Sequence, residues 1–376
     1  MRNLRLNRGN VFRKMILKKF GIVIITIIVS LFPYSFQACS VESPFNDLEI
    51  KSNKKNEGYS FFIGGHLYEV LSNGNSMFSS PSISAVCEMI NESTASFMVL
   101  LGDSFRSITP LSVFVFKRNF VSKINIPIFN AVGNHDVSDR ALYEENFGKT
   151  YFDFTYKDGV FIFLDTELTN GRICGDQLRY FEDVLKKNKK KQHIKNMFIF
   201  THKLVWSAYN PDYKIVFDHL NCKNGYPADN HNFKNDIEPL LIKEASGDRS
   251  VYWFSGDIGV PWSFSMFYGK DSQNEITYLA TGVGNTINDV IVRVDVDNNG
   301  RVTFLPISLT GRILKTMEYY DLDYWREYFN TSIISQITEK IIKMRKRTFF
   351  LAGVICGSVF FICIFLLVRG LFRRKE

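Results

Sequence analysis

Residues 60–310 read as one layered α/β domain, and three observations carry that reading. Short apolar runs alternate with helical patterns along this stretch. Acid, amide and imidazole residues stand just beyond the ends of five of those runs. The segments on either side are of another kind, basic and apolar, at both ends of the 376-residue chain.

The apolar runs that predict strands are Phe61–Ile63, Phe97–Leu101, Pro127–Val132, Val160–Leu164, Met197–Phe200, Val251–Phe254, Ile276–Ala280 and Val290–Val296. Each is short, apolar and rich in β-branched or aromatic residues, as a buried strand requires. Helical patterns fall between them, notably over Asp176–Lys186 and Asp236–Lys243. The lysine run 186–195 reads as a solvated helix end. Residues 203–235 show no clear strand. They carry Trp206, Tyr209, Tyr213 and Phe217, and are expected to form an inserted loop over the site. The stretch VDVDNNGRV, 294–302, begins like a calcium loop, but position 12 is Pro306 where a glutamate would be needed. A β-hairpin turn is the better reading.

The net charge of +8 belongs to the ends. Residues 1–20 hold seven basic side chains and no acidic one, and residues 343–376 hold eight and one. The ends together carry +14, which leaves −6 between them. A mildly acidic body excludes nucleic acid as a charge-driven partner. Thr348 to Val368 is uncharged over 21 residues, with Lys343, Arg345, Lys346 and Arg347 before it and Arg369, Arg373, Arg374 and Lys375 after it. That length crosses about 30 Å of hydrocarbon as a helix, so 348–368 reads as a transmembrane helix and 369–376 as a basic tail. Residues 1–39 read as a signal peptide or an N-terminal anchor. A positive start precedes the 12-residue apolar core Gly21–Phe32, and Ala38-Cys39 follows. Residues 40–59 read as a linker and 311–347 as a helical stalk. The main domain is then expected outside the cytoplasm, with the membrane as a partner. Of six cysteines, only Cys87, Cys174 and Cys222 lie in the body, so no disulfide framework is expected.

Five strand ends carry the chemistry. Gly64-Gly65-His66 follows FFI, and Gly102-Asp103 follows FMVLL. Gly133-Asn134-His135-Asp136 follows IPIFNAV, His202 follows MFIFT, and Gly256-Asp257 follows VYWFS. In an open α/β sheet the carboxyl ends of strands meet at one crevice. A Gly-Asp after a strand is by itself usually a turn, and a lone histidine is usually a satisfied one. An adjacent Asn and His after a buried strand, in order with the other four, points to a metal centre. Oxygen and imidazole donors suit Mn, Fe or Zn.

In this order the motifs resemble those of the calcineurin-like metallophosphoesterases. The resemblance runs over about 60–310 and extends to FGKTYFDF (147–154), VFIFLDTE (160–167) and GDQLRYFEDVL (175–185). It implies a four-layer α/β/β/α sandwich with two metals at the strand ends. The first motif here lacks its Asp, and the last, Gly256-Asp257-Ile258-Gly259, replaces both histidines. By the family's pattern one metal would keep Asp103, Asn134, His202 and Asp257, while the other would keep only His66 and Asp103. The expectation is one firmly bound divalent metal, with a second weakly held or absent. The resemblance also implies His135 as proton donor to the leaving group, oriented by Asp103 or Asp136, and Asp165 as a support of the fold. The activity implied is metal-dependent hydrolysis, with a phosphoester as the substrate partner. The alternative is a non-catalytic binding or assembly module at the membrane. No G-x-S-x-G or H-E-x-x-H occurs to support an esterase or peptidase.

Overall fold

A computed structural model describes residues 41–331, except 52–56, 70–75, 219, 221–225, 227–230, 246–248, 260–263, 272 and 285. The expected signal or anchor segment, the transmembrane segment Thr348–Val368, the basic tail, Cys39 and Cys222 lie outside the described residues. Among the described residues no helix is long and apolar enough to cross a membrane. The chain clusters into Met1–Val41 and Glu42–Glu376, and every described strand and helix lies in the second unit.

Eleven strands are described, in two mixed sheets. The first holds β1 (Tyr59–Gly64), β2 (Phe97–Leu100), β3 (Ile128–Asn130), β10 (Val290–Val296) and β11 (Val302–Ser308), in the order β11-β10-β1-β2-β3. The second holds β4 (Phe152–Tyr156), β5 (Gly159–Phe163), β6 (Asn196–Thr201), β7 (Ser250–Ser255), β8 (Met266–Asp271) and β9 (Ile276–Thr281), in the order β4-β5-β6-β7-β9-β8. The inner strands are parallel: β1 with β2, β2 with β3, β5 with β6, β6 with β7, and β7 with β9. Parallel pairing brings the carboxyl ends of β1, β2, β3 to one edge of the first sheet and those of β6 and β7 to one edge of the second.

All eight expected strands are present within a residue or two. The three that the sequence reading passed over, β4, β8 and β11, are antiparallel edge strands. Edge strands bury one face only, and their polar residues break up the apolar run. The hairpin reading of 294–302 holds: β10 and β11 pair across a turn in which the Asp297 carboxylate accepts from the backbone N–H groups of Asn299 and Arg301.

Side chains alternate along each strand, and the alternation sorts phenylalanine to one side. Phe61, Phe97, Phe129, Phe154, Phe161, Phe163, Phe198, Phe200 and Phe254 join the two sheets through ring contacts. Their neighbours point outward. Ile162, Ile199, Val251 and Trp253 meet Phe181 and Leu185 of a helix over Gly175–Lys189, and Leu241 of another over Glu238–Glu244. Phe62, Met98, Leu100 and Ile128 meet Phe116 of the helix Pro110–Asn119 and Phe147 of the helix Arg140–Phe147. Helices therefore cover the outer faces of both sheets. Trp206 and Tyr213 are not part of a loop over the site. They are buried in the outer core of the second sheet, with Trp206 stacked on Phe267 and Tyr278. Their apolar surface is satisfied by that sheet face, which the short segments between β6 and β7 would otherwise leave bare.

Packing continues beyond both expected domain limits. Phe45 stacks on Phe147, with centroids 4.3 Å apart, and the Ser43 hydroxyl donates to the Ile128 carbonyl at 2.6 Å. Residues 322–331 are helical, and Trp325 is buried against Phe264.

Phe61 is fully buried and touches five rings, those of Phe97, Phe161, Phe198, Phe200 and Phe254. Phe61→Ala is expected to lower stability by about 3–5 kcal/mol. Phe114→Ala, at a 58% exposed position, should shift it by no more than about 0.5 kcal/mol. Urea unfolding midpoints of the two variants check the contrast.

Candidate metal centre

The strand ends meet as the parallel pairing requires. His66 stands two residues beyond β1 and Asp103 three beyond β2. His202 directly follows β6, and Asp257 lies two beyond β7. Each sheet thus supplies one imidazole and one carboxylate. His66 Nε2 is 3.6 Å from Asp103 Oδ2 and 3.5 Å from Asp257 Oδ1. His202 Nε2 is 3.5 Å and 3.8 Å from the same two oxygens. All four side chains are buried. His66, Asp103 and His202 each offer a ligand atom within 4.8 Å of the others.

Local backbone chemistry explains why the loops turn here. Gly102 has φ of +85°, and a Cβ on it would lie 2.5 Å from His202 Nδ1. A Cβ on Gly256 would lie 2.1 Å from the Leu101 carbonyl oxygen. Only glycine lets the two sheet ends come this close. His66 and Asp103 themselves adopt left-handed backbone, with φ of 54° and 57°. Such residues cost of order 1–2 kcal/mol each and persist where surrounding contacts hold them. The His66 N–H is held by the Gly102 carbonyl at 3.0 Å, and Asp103 is held by Asp136, which is fully buried. Its Oδ1 accepts from the backbone N–H groups of Ser104 and Phe105, and its Oδ2 from those of Asp103 and Gly133 and from Asn130 Nδ2. Asn130 in turn accepts from the Gly102 N–H and donates to the Tyr143 hydroxyl.

His202 has the orientation of a ligand. Its Nδ1 lies 2.8 Å from the Leu101 carbonyl, which can only accept, so Nδ1 carries a proton and Nε2 is turned to the two carboxylates. His202 Nε2 is buried without a hydrogen bond, as are Asp257 Oδ2 and His66 Nδ1. Burial by itself would push the His202 imidazole down. The carboxylates of Asp103, Asp257 and Glu167 outweigh it, and the group is pushed up to about 9. Burial would likewise raise Asp257, but the His66 hydrogen bond and the charges of His202 and His66 hold its carboxyl below the usual range. In the metal-free protein a proton on His202 therefore offsets part of the carboxylate charge. Two imidazoles and two carboxylates with bare acceptor atoms fit a divalent cation in the same place.

The remaining expected residues divide. His135 borders the cluster: its Nε2 is 4.0 Å from Asp103 Oδ2, and its side chain is 24% exposed. Its ring is oriented by the Arg106 carbonyl, 2.7 Å from Nδ1, where a carboxylate of Asp103 or Asp136 was expected. Asp136 faces main chain rather than reacting space and is a positioning residue. Asn134 is exposed, and His66 rather than Asn134 meets Asp103, His202 and Asp257. The geometry gathers His66, Asp103 and His202 within 4.8 Å of one another, with Asp257 against the two imidazoles, where the sequence reading set His66 apart from Asn134, His202 and Asp257. Asp165 ties the fold: its carboxylate takes Arg140 Nη1 at 2.5 Å and the Glu167 N–H at 2.8 Å. Sequence reasoning missed Arg106, Tyr68 and the buried Lys203–Glu167 pair, 2.6 Å apart beside His202. A lone arginine, tyrosine or lysine in a loop gives no spacing signal.

No family model matches the chain, and no curated protein is similar to it. The solved structures similar to the chain at low identity include two of note. One is GAP50, the anchor in the inner membrane complex of Plasmodium, at TM-score 0.48 and 14% identity over 69% of this chain and 88% of that one. The other is the purple acid phosphatase PPD1 from yellow lupin (Lupinus luteus) seeds, at TM-score 0.47 and 12% identity over 71% of this chain and 55% of that one.

The cluster makes two outcomes testable. His66→Ala is expected to weaken Mn or Zn binding at least about tenfold, while Asn134→Ala leaves it within about twofold; equilibrium dialysis separates them. A metal that takes His202 Nε2 must displace its proton. Affinity should then rise about tenfold per pH unit between about 6.5 and 9 and level off above. With chelator present the sign reverses for stability. The folded-state value, about 9, lies above the reference of about 6.5, so stabilisation is full below 6.5 and is lost as pH rises through 9. Calorimetry and thermal melts across that window check both.

Proposed function

We propose that this domain hydrolyses a phosphoester at one divalent-metal centre held by His66, Asp103, His202 and Asp257, and that the C-terminal segment tethers it to a membrane. The observation that carries the reading is His202 Nε2, a buried acceptor atom aimed at two carboxylates with Nδ1 already committed to a carbonyl. The donor set supports Mn, Fe or Zn. When bound, such an ion supplies an acidified water and a Lewis acid for a phosphoryl oxygen. The chain's own residues do the positioning. Asp136 fixes the main chain that presents Asp103. His135, at the open side of the cluster, is assigned to the leaving-group oxygen. A phosphoester is supported by the order of the five strand-end motifs along the chain. The uncharged 21-residue stretch between basic flanks supports the tether. The basic start ahead of Gly21–Phe32 supports an extracytoplasmic domain.

One observation favours a second reading, a non-catalytic binding or assembly module. Protonated His202 lies close to both Asp103 and Asp257, so part of the carboxylate charge is offset without metal. Metal stoichiometry separates the two: about one ion per chain fits the hydrolase, none at any concentration the module.

The full chain in detergent with added Mn is expected to hydrolyse p-nitrophenyl phosphate or its diester. His135→Ala should lower kcat about 10²–10⁴-fold with metal still bound, and His202→Ala should lose both metal and turnover. Turnover that survives His202→Ala sinks the assignment.

A further inference from the structure

We propose that the edge of the domain bearing the metal centre rests on an anionic lipid surface. The contact strip is Met77, Phe78, Ile287 and Ile313, with Arg312 and Lys315 beside them; this rests on the membrane tether proposed above. Phe78 is 51% exposed, Ile287 72% and Ile313 100%. Exposed apolar side chains scattered singly are ordinary. These stand on three segments that hydrogen bonds tie together. The Ser80 and Ser82 hydroxyls lie 2.7 Å apart, and Ser82 donates to Asp289 Oδ2. Asp289 Oδ1 closes the turn that carries Ile287 by accepting from the Thr286 N–H. The Thr310 hydroxyl donates to the Ile287 carbonyl, and Arg312 Nη1 to Asn288 Oδ1. All three segments lie at the carboxyl end of β1. Met77 and Phe78 belong to the loop after it, and Ile287 precedes β10, whose Val292 pairs with Ile63. Ile313 follows β11, whose Ser308 pairs with Val290. The strip begins beside the centre, because Ser79 bridges to Tyr68. The Tyr68 ring lies 5.6 Å from that of His66 and 5.2 Å from that of His135.

Charge and chain length select the occupant. Arg312 and Lys315 are exposed on either side of Ile313, and no acid occurs from Leu309 to Met317. The carboxylates along the strip are engaged, Glu69 by the Ser76 hydroxyl and Asp289 by Ser82, Gly284 and Thr286. An apolar strip flanked by cations suits a bilayer surface, where apolar groups enter the acyl boundary and cations meet anionic headgroups. The tail also leaves the domain on this side. Trp325 and Phe329 lie 4.5 Å and 6.1 Å from Phe264. Phe264 stands just ahead of β8, whose Met266 pairs with Thr281 at the carboxyl end of β9. Sixteen residues, 332–347, separate that point from the uncharged stretch Thr348–Val368. They reach at most about 55 Å even when fully extended. A tether of that length holds the strip close to the bilayer at a high effective concentration.

The test is the full chain reconstituted in phosphatidylcholine–phosphatidylglycerol vesicles, with and without bromine on the acyl chains. Bromine quenches tryptophan emission on contact. The emission that Ile313→Trp adds to wild type is expected to be lost in the brominated vesicles. That added by Leu305→Trp, midway along β11 at a 53% exposed position, should be retained. Arg312→Glu with Lys315→Glu, placed on Ile313→Trp, should restore the lost emission. Emission from Ile313→Trp as bright as that from Leu305→Trp, in a chain that floats with the vesicles, overturns the docking and leaves the tether standing. Quenching that the charge reversal leaves unchanged overturns it too. A chain that does not float removes the tether, and the docking with it. Quenching at Ile313→Trp in a protein that hydrolyses no ester leaves the docking standing and removes the hydrolase reading. Turnover of p-nitrophenyl phosphate without quenching does the reverse.

Discussion

Two buried carboxylates, one from each sheet and both against the same two imidazoles, are the constraint around which this molecule is arranged. Asp103 and Asp257 come from different sheets, and both are almost wholly removed from solvent. Charges in that setting must be compensated locally or neutralised. His66 and His202 stand between them, close to both. The way the sheets close at their carboxyl ends is therefore also a charge-balancing arrangement. Without a cation or a proton at the imidazoles, these two buried charges would stand uncompensated at the ends of β2 and β7.

That closure is held by strain and by buttressing. His66 and Asp103 sit in left-handed backbone without being glycine. Asp and His tolerate that geometry better than most side chains, and hydrogen bonds from outside hold it. The Gly102 carbonyl takes the His66 N–H, and one carboxylate, Asp136, accepts five donors around Asp103. Burial and the nearby Asp103 push the Asp136 carboxyl up, and the ring of donors opposes that by favouring the charged form. The residue most deeply tied to function here need not touch a ligand. Its part is to keep Asp103 where His66 and His202 can reach it.

How far the sequence made this legible depended on period and order. The alternation of F-x-F in β5 and β6 is readable as strand, and it helps fill the space between the sheets with aromatic rings. The strands that escaped notice bury one side only. The site's order along the chain was readable because a Gly-Asp, an Asn-His and a lone His each followed an apolar run. Which residues share a centre was not readable. His66 was set apart because its motif lacks an Asp. The fold nevertheless brings β1 beside β2, and the glycine contact at Gly256 brings β7 in from the other sheet. Arg106 escaped for a different reason. Its placement depends on a loop whose shape is imposed by Asp136, about thirty residues further on, and no local pattern encodes that.

The readings of enzyme and of binding module meet in one physical choice at His202. A proton on Nε2 and a metal ion at Nε2 exclude each other; the proton offsets one of the two charges of Asp103 and Asp257, and a divalent ion would offset both. The core does not depend on which is present, since its cohesion lies in the aromatic layer and the outer helices. The domain therefore differs from small metal-folded modules, in which binding energy is folding energy. Here the metal competes with a proton held at about 9, so near neutrality the ion must work against that proton to enter. A centre of this kind favours a metal whose affinity for imidazole and carboxylate is high enough to displace it. Along the divalent series that places Zn ahead of Fe and Mn on affinity alone. Availability in the compartment that holds the domain then decides which ion occupies the site.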